Sequence, residues 1–460
     1  MDQKNQNTII MIQIIRLGTN ILFVICFSII ALNSYGQLKK KNDPGYDSIQ
    51  MSYFKLLSKI NCINYADSTY NFVNTIINSK PPLSIAGWDS NMVSSFYLRL
   101  GESLSFCGDY SRAISIYDSS YLSYSNNRKI NSQFKSTLAD TIFANSLQLV
   151  NANGYITKLA KNTSIIIIGE AHYIPEHRIL TYSLLKSLYN QGYNFLALET
   201  IQDSIFVNND VSIRNGVYSN EPTYANMIRY PRKIGFRIIP YDCTTCNSMT
   251  EREEIAAKKI VSVLESNKNA KIVLHTGFSH GSEVAIPGVF SPLGYLLKSK
   301  TAIDPLTINQ SFVKETILNS YSSYINSFLG KKYSLSEPMI ILDSTKTPID
   351  FSERTGVVFD LHVVNPKFEN LSDHFLNNNT DLKRTSITLS ESEISNGLIV
   401  QLYSKKDGQL IETFDKIIPV CQKIISKNKK YNMISPTGLY YLVVRDKNNV
   451  IVSKKLHNVQ

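Results

Sequence analysis

The sequence predicts an α/β protein: a mostly parallel sheet with flanking helices, preceded by a helical region and followed by a small antiparallel, sandwich-like β domain. Three observations carry this. Between about residues 164 and 300, apolar runs that stop abruptly at polar residues alternate with amphipathic stretches, the pattern of βαβ units. From about 45 to 160 the spacing is helical throughout. After about 330, short β-rich runs are separated by turn signals with no useful helical period between them. The implied boundaries are a leader over 1–36, a helical region over 37–155, an α/β domain over 156–325 and a β domain over 326–460.

Composition sets the frame. A chain of 460 residues is too long for one ordinary core, and 43% hydrophobic with 10% aromatic residues are globular values. The formal charge of +11 is scattered over short runs such as Lys39–Lys41 and Lys454-Lys455. No basic patch is interleaved with base-stacking aromatics, so nucleic acid is not an expected partner. At the N-terminus, Lys4 and Arg16 precede an apolar run over 17–32 and small or polar residues through Gly36. That run falls short of the ~20 residues a span needs. It reads as a secretory signal cut after about Gly36, giving a secreted or periplasmic protein with no stable membrane insertion after cleavage. Five cysteines then remain: Cys62, Cys107, Cys243, Cys246 and Cys421. Cys243-Thr-Thr-Cys246 reads as a local disulfide in an oxidising compartment, since a zinc ribbon needs a second cysteine pair.

In the helical region, Tyr97-Leu-Arg-Leu-Gly101 followed by Gly108-Asp-Tyr110, Ala113 and Tyr117 resembles one tetratricopeptide repeat, in which small residues let two antiparallel helices approach closely. A free-standing solenoid needs about three copies. The single copy is read as a helical cap on the next domain, with a protein partner at residues 85–125 as the alternative.

In the α/β region, strands are expected at 164–168, 195–199, 236–240 and 271–275, with helices such as 177–189 and 251–264 between them. Right-handed crossovers put the carboxyl ends of these strands on one edge, where open α/β sheets bind ligands. Glu170 and His172, Glu199, Tyr241 and Asp242, and His275 and His280 follow the four strands in turn. Of seven histidines, His172, His177, His275 and His280 lie in two such places. Their convergence points to a chemical site.

Two chemistries suit such a set. A divalent ion held by His172, His275, His280 and Glu199 would lower the pKa of bound water to about 7. Alternatively, a histidine oriented by a carboxylate acts directly as base on water. His172, Glu170, Glu199 and His280 are the catalytic candidates, and Arg252, Asp242 and Tyr241 the substrate-binding ones. His177, five residues beyond His172, caps or packs equally well. Arg178 reads as a surface ion pair. Neither a phosphate-cradling loop ending in Lys-Ser/Thr nor a Gly-x-Ser-x-Gly elbow is present, which removes nucleotide and serine-hydrolase readings. In the C-terminal region, strands are expected at 357–364, 398–403, 410–414, 439–445 and 450–453, with turns at Asp407-Gly408 and Lys447-Asn-Asn449.

Gly169-Glu170-Ala171-His172 with Glu176-His177 resembles the first signature of the erythromycin esterase, TraB, Tiki and ChaN superfamily. The stretch 195–199 is similar to its Leu-Glu strand, Arg252-Glu253 to its Arg-Glu helix, and the stretch from His275 to His280 to its late histidine motif. The resemblance covers about residues 160–310, roughly a third of the chain. Members include macrolactone esterases using a histidine-activated water, metal-dependent proteases and haem binders. The esterase spacing Gly-Glu-x-x-His is one residue shorter here, nearer the ChaN and Tiki form. The resemblance implies that His172 is base or metal ligand, Glu170 its partner and His280 a second essential histidine. A hydrolase acting on an ester, lactone or peptide is therefore expected. A haem- or metal-binding uptake protein, or an interaction module, is the alternative; a divalent metal and haem are the cofactors that come into question.

Overall fold

Four isoleucines in a row, Ile165–Ile168, cannot be solvated on either face, and the strand they form is sealed from end to end. It is one of eight strands in the central sheet. The computed structural model describes residues 90–125, 138–201, 210–243, 245–286, 288–316, 321–405 and 414–460. The leader expected over 1–36, Cys62 and the turn at Asp407-Gly408 lie outside these residues, as does most of the strand expected at 410–414.

In chain order, α1 (Ser90–Phe106), α2 (Tyr110–Ser125) and α3 (Leu138–Ser146) precede β1 (Gln148–Asn151) and α4 (Ala152–Leu159). There follow β2 (Ile165–Glu170), α5 (Pro175–Asn190), β3 (Phe195–Leu198), α6 (Pro222–Ile234), β4 (Arg237–Pro240), α7 (Met249–Ser266) and β5 (Ile272–Gly277). Then come α8 (Leu293–Thr301), β6 (Leu306–Asn309), α9 (Tyr321–Tyr333), β7 (Met339–Leu342), α10 (Ser352–Thr355) and β8 (Leu361–Val364). The sheet order is β1-β7-β8-β6-β2-β5-β3-β4, with only β7 running against the rest. All four strands expected in the α/β region are present, and the order makes β2, β5, β3 and β4 immediate neighbours.

Register decides which way the site faces. Ile168 of β2 and Leu198 of β3 both pair with His275 of β5. Because side chains alternate across a strand, Ile166, Ile168, Val273, Leu196 and Leu198 share one apolar layer, while Ile165, Ile167, Ile272, Leu274 and Ala197 share the other. Glu170 and His275 belong to the first face, capped by α5 and α6.

The helical pair α1–α2 packs on this edge. Gly101 permits the pairing: a Cβ there would stand 3.0 Å from Tyr117 Cβ and 3.1 Å from the Ala113 carbonyl. Phe96, Leu100, Leu104, Ala113 and Tyr117 form one apolar cluster with Ala171, Tyr173 and Ile174, the loop that leaves β2. Tyr117 stacks on Tyr173 at 3.7 Å between ring centres. The pair therefore roofs the loop that carries His172.

The expected domain border at 325/326 is corrected. Residues 357–364, expected as the first strand of the β domain, supply β8, which pairs in parallel with β6 and leads through β7 to β1. The central sheet thus runs from residue 148 to 364. Local pattern marks a strand; it does not say which sheet will accept it. The separate β region comprises α11 (Asp373–Asn379), β9 (Leu382–Thr388), α12 (Glu391–Asn396), β10 (Ile399–Ser404), β11 (Cys421–Ile424), β12 (Lys430–Pro436), β13 (Gly438–Arg445) and β14 (Ile451–Val459). An antiparallel sheet β11-β10-β13-β14 faces the pair β12-β9 across a shared layer that includes Ile387, Leu402, Met433 and Leu442. Asn449, in the expected turn, takes a positive φ of 62° between β13 and β14. Among the described residues no helix is long and apolar enough to cross a membrane.

Candidate active site

Glu170 ends β2 with its carboxylate fully enclosed, and an enclosed carboxylate must be matched or protonated. It is matched four times. His172 Nδ1 lies 2.8 Å from Oε1 and His275 Nε2 2.9 Å from Oε2, while Arg178 donates through Nε at 2.7 Å and Nη2 at 2.9 Å. Burial pushes the Glu170 carboxyl up, but the charges of Arg178 and His275 and the imidazole hydrogen bonds outweigh it, holding the group well below the carboxylate range. An ionised carboxylate only accepts, so both facing imidazole nitrogens carry the protons. For His172 this leaves Nε2 uncommitted to the carboxylate. For His275 it leaves Nδ1, which the Thr181 hydroxyl engages at 3.0 Å.

Arg178 is fully buried, which corrects the surface ion pair expected for it. Besides Glu170 it binds the His172 carbonyl at 2.5 Å and Glu221 at 2.8 Å. Glu221 in turn caps α6 by accepting from Thr223 N and Tyr224 N. His177 is also structural: its Nδ1 accepts the Ala171 N–H at 2.9 Å, and burial drives its pKa down to about 3.

A second node forms at the ends of β3 and β4. Arg252, from α7, binds Asp242 at 2.6 and 2.8 Å and Glu199 at 2.6 Å. The other Glu199 oxygen accepts the Gly277 N–H at 2.6 Å. Burial raises the Glu199 carboxyl, but Arg252, His172 and His280 overcome it and bring the pKa down to about 2. Thr200, directly after Glu199, and Phe278, directly after β5, hold positive φ angles of 56° and 41°. Such backbone needs support; at Thr200 the Asp242 carboxylate supplies it by accepting the N–H at 3.1 Å.

The two nodes meet at Gly277. A Cβ there would lie 2.4 Å from His172 Nε2 and 3.2 Å from Glu199 Oε2, so any side chain would displace the imidazole. His172 stacks on Tyr218 at 4.0 Å and meets the edge of Phe278 at 5.1 Å. His280 binds Glu253 through Nδ1 at 2.8 Å, which leaves its Nε2 uncommitted to that pair. Burial lowers its pKa, but Glu253, then Glu199, more than restore it. Positions 172, 199 and 280 therefore converge. The cluster reaches solvent at His172, Arg252 and His280, whose side chains are 8, 11 and 13% exposed.

Two expectations are corrected. As a metal set, His172, His275, His280 and Glu199 do not fit. Both ring nitrogens of His275 and both oxygens of Glu199 are engaged, and no group of three or more candidate ligands among the described residues could hold a metal ion. As substrate-binding residues, Asp242 and Tyr241 are sealed; Asp242 holds Arg252, and the Tyr241 hydroxyl donates to the His275 carbonyl at 3.4 Å. Arg252 spends Nε and Nη2 on its carboxylates and so positions Glu199. Sequence reasoning missed Glu221, Tyr218 and Thr181, and gave Glu253 no role. Of these, Glu221-Pro222 carried a signal, an acidic cap before a helix-starting proline.

No protein-family model and no curated protein matches the chain. Among solved structures, it is similar to RRSP, a MARTX toxin effector domain from Vibrio vulnificus CMCP6, at 16% identity and a TM-score of 0.26 over 52% of this chain and 53% of that one. The chain spans about half the length of that structure, a likeness too slight to bear on fold or activity.

Proposed function

We propose that the chain is a hydrolase in which His172 activates water against an ester, lactone or peptide carbonyl, without a metal. The observation that carries this is the Glu170–His172 pair. A carboxylate fixed by four hydrogen bonds holds one imidazole nitrogen at 2.8 Å and leaves the other as a base. His172 Nε2 takes a proton from water as the water oxygen bonds the acyl carbon. His280, kept protonated to higher pH by Glu253, returns a proton to the departing oxygen or nitrogen. Glu199, ionised beside both imidazoles, stabilises the positive charge His172 gains.

The resemblance to the erythromycin esterase, TraB, Tiki and ChaN superfamily, which implies His172 as base or metal ligand, Glu170 as its partner and His280 as a second essential histidine, supports this reading. We read the α1–α2 pair as the single tetratricopeptide-like unit, serving as a roof. Secretion or periplasmic export is consistent with the 17–32 apolar run and with the Cys243–Cys246 disulfide directly after Asp242.

The test is hydrolysis of p-nitrophenyl esters and of a peptide library by the wild type and by His172→Ala. General-base loss is expected to lower kcat by about 10²–10⁴, measured at a temperature where the variant is folded. A folded variant that retains full turnover removes His172 from the chemistry.

A further inference from the structure

We propose that Tyr218 is the oxyanion donor of this site, its phenolic hydroxyl hydrogen-bonding the carbonyl oxygen as water adds; the inference rests on the hydrolase reading above. Water attack moves the carbonyl π pair onto oxygen, and a buried oxyanion without a donor is costly. The Gly277 N–H, beside the base, is already spent on Glu199 at 2.6 Å. Arg252 commits Nε and Nη2 to Asp242 and Glu199, and its Nη1 is turned to Met249 Sδ at 4.0 Å. Tyr218 lies flat against the His172 ring, centroids 4.0 Å apart and planes 19° off parallel, so its phenol is in direct contact with the base.

The phenol is held in place from both sides. Its own N–H reaches the Thr200 hydroxyl at 3.4 Å, and it opens the short turn Tyr218–Asn220 directly before Glu221, the residue that caps α6 and binds Arg178. Its hydroxyl makes no hydrogen bond to a described residue. The charges that act on it come from the roof, Glu102 and Arg99 of α1, and from the sheet edge, Glu199 and Arg252. The phenol thus packs on the base and feels charged groups of both the roof and the sheet edge. Burial, reinforced by Glu102 and Glu199, keeps it protonated well above the ordinary phenol range, which is the state a donor requires.

In the full step, one water O–H bond breaks with its proton going to His172 Nε2. The water oxygen bonds the acyl carbon, and the carbonyl electron pair rests on the oxygen facing Tyr218. That pair then returns as the bond to the leaving group breaks, the leaving atom taking a proton from His280.

The experiment measures p-nitrophenyl acetate hydrolysis by the wild type, His172→Ala and Tyr218→Phe, which keeps the ring stacked on His172 and deletes one oxygen. The expected result is a fall in kcat of about 100-fold, with KM and the melting temperature unchanged. An unchanged kcat, or a rise in KM alone, overturns the assignment while His172→Ala still reports on the hydrolase reading. A wild type inert toward the ester and the peptide library alike, or a fully active His172→Ala, overturns that reading and this one with it. Should Tyr218→Phe melt early, difluorotyrosine at 218 acidifies the hydroxyl without removing it; a kcat that does not move then counts against the proposal.

Discussion

The two histidine motifs have like composition and opposite internal arrangement. In the first, the histidine nearer its strand, His172, presents a free nitrogen, and the farther one, His177, is locked onto the Ala171 amide. In the second, the nearer one, His275, lies within β5 with both nitrogens bound, and the farther one, His280, reaches the opening. What separates them is where the strand ends. β2 stops at Glu170, so residue 172 lies on the exit loop; β5 continues through Gly277, so residue 275 is still in the sheet and 280 is on the loop. The lesson is that distance past the strand end, rather than position in a motif, decides which imidazole is chemical and which is structural.

This contrast can be broken by substitutions. Arg178→Met should have the largest effect on stability: it strips cations from the buried Glu170 and Glu221 carboxylates, and breaking a buried pair costs about 3–5 kcal/mol. Urea denaturation reads it directly. His275→Ala should follow at about 1–3 kcal/mol by removing a partner of a buried carboxylate. His172→Ala removes another partner of the same carboxylate and should cost a comparable amount, but it alone should abolish turnover by the folded protein. If the two variants behave alike in turnover, the division of labour fails.

His177→Ala should cost about 1–3 kcal/mol by orphaning the Ala171 N–H while leaving kcat intact at temperatures where the variant is folded. The same residue gives a pH signature. Its folded pKa of about 3 lies below the unfolded value near 6.5, so the unfolded chain binds the proton first. Stability should fall as pH drops from about 6.5 toward 3, and less steeply in His177→Ala.

The smallest effect sharpens the picture within the first motif. Burial raises Glu176 to about 8, and only its Oε1 is partnered, by the Phe368 N–H at 2.6 Å. The unfolded carboxyl ionises near 4.3, so wild-type stability should decline as pH rises from about 4 to 8. Glu176→Gln should be the more stable protein at pH 8, with the advantage gone near pH 4. An advantage independent of pH would contradict a protonated Glu176.

Much of the α/β region was legible because its signals are local. Ile165–Ile168 and Ile272–Leu274 announce buried strands by composition, and the acids and histidines that follow them fall on one edge by the handedness of crossovers. The strand at 361–364 was legible as a strand and not as a member of the central sheet. β9, β11 and β12 escaped, since their mixed polar and apolar residues match only half-buried faces in a small sheet. Arg178 read as surface because a lone arginine near a helix start usually is; its burial is visible only once Glu170 and Glu221 are seen around it.

The amino-acid order alone determined that four strands would carry carboxylates and imidazoles to one rim, because strand periodicity and chain chirality need no knowledge of distant contacts. Tertiary structure decided what each group does there. Whether a histidine keeps a lone pair depends on whether partners from other elements, such as Thr181 or the Ala171 amide, arrive within hydrogen-bond reach. That is a matter of packing between segments far apart in the chain, which no local pattern encodes.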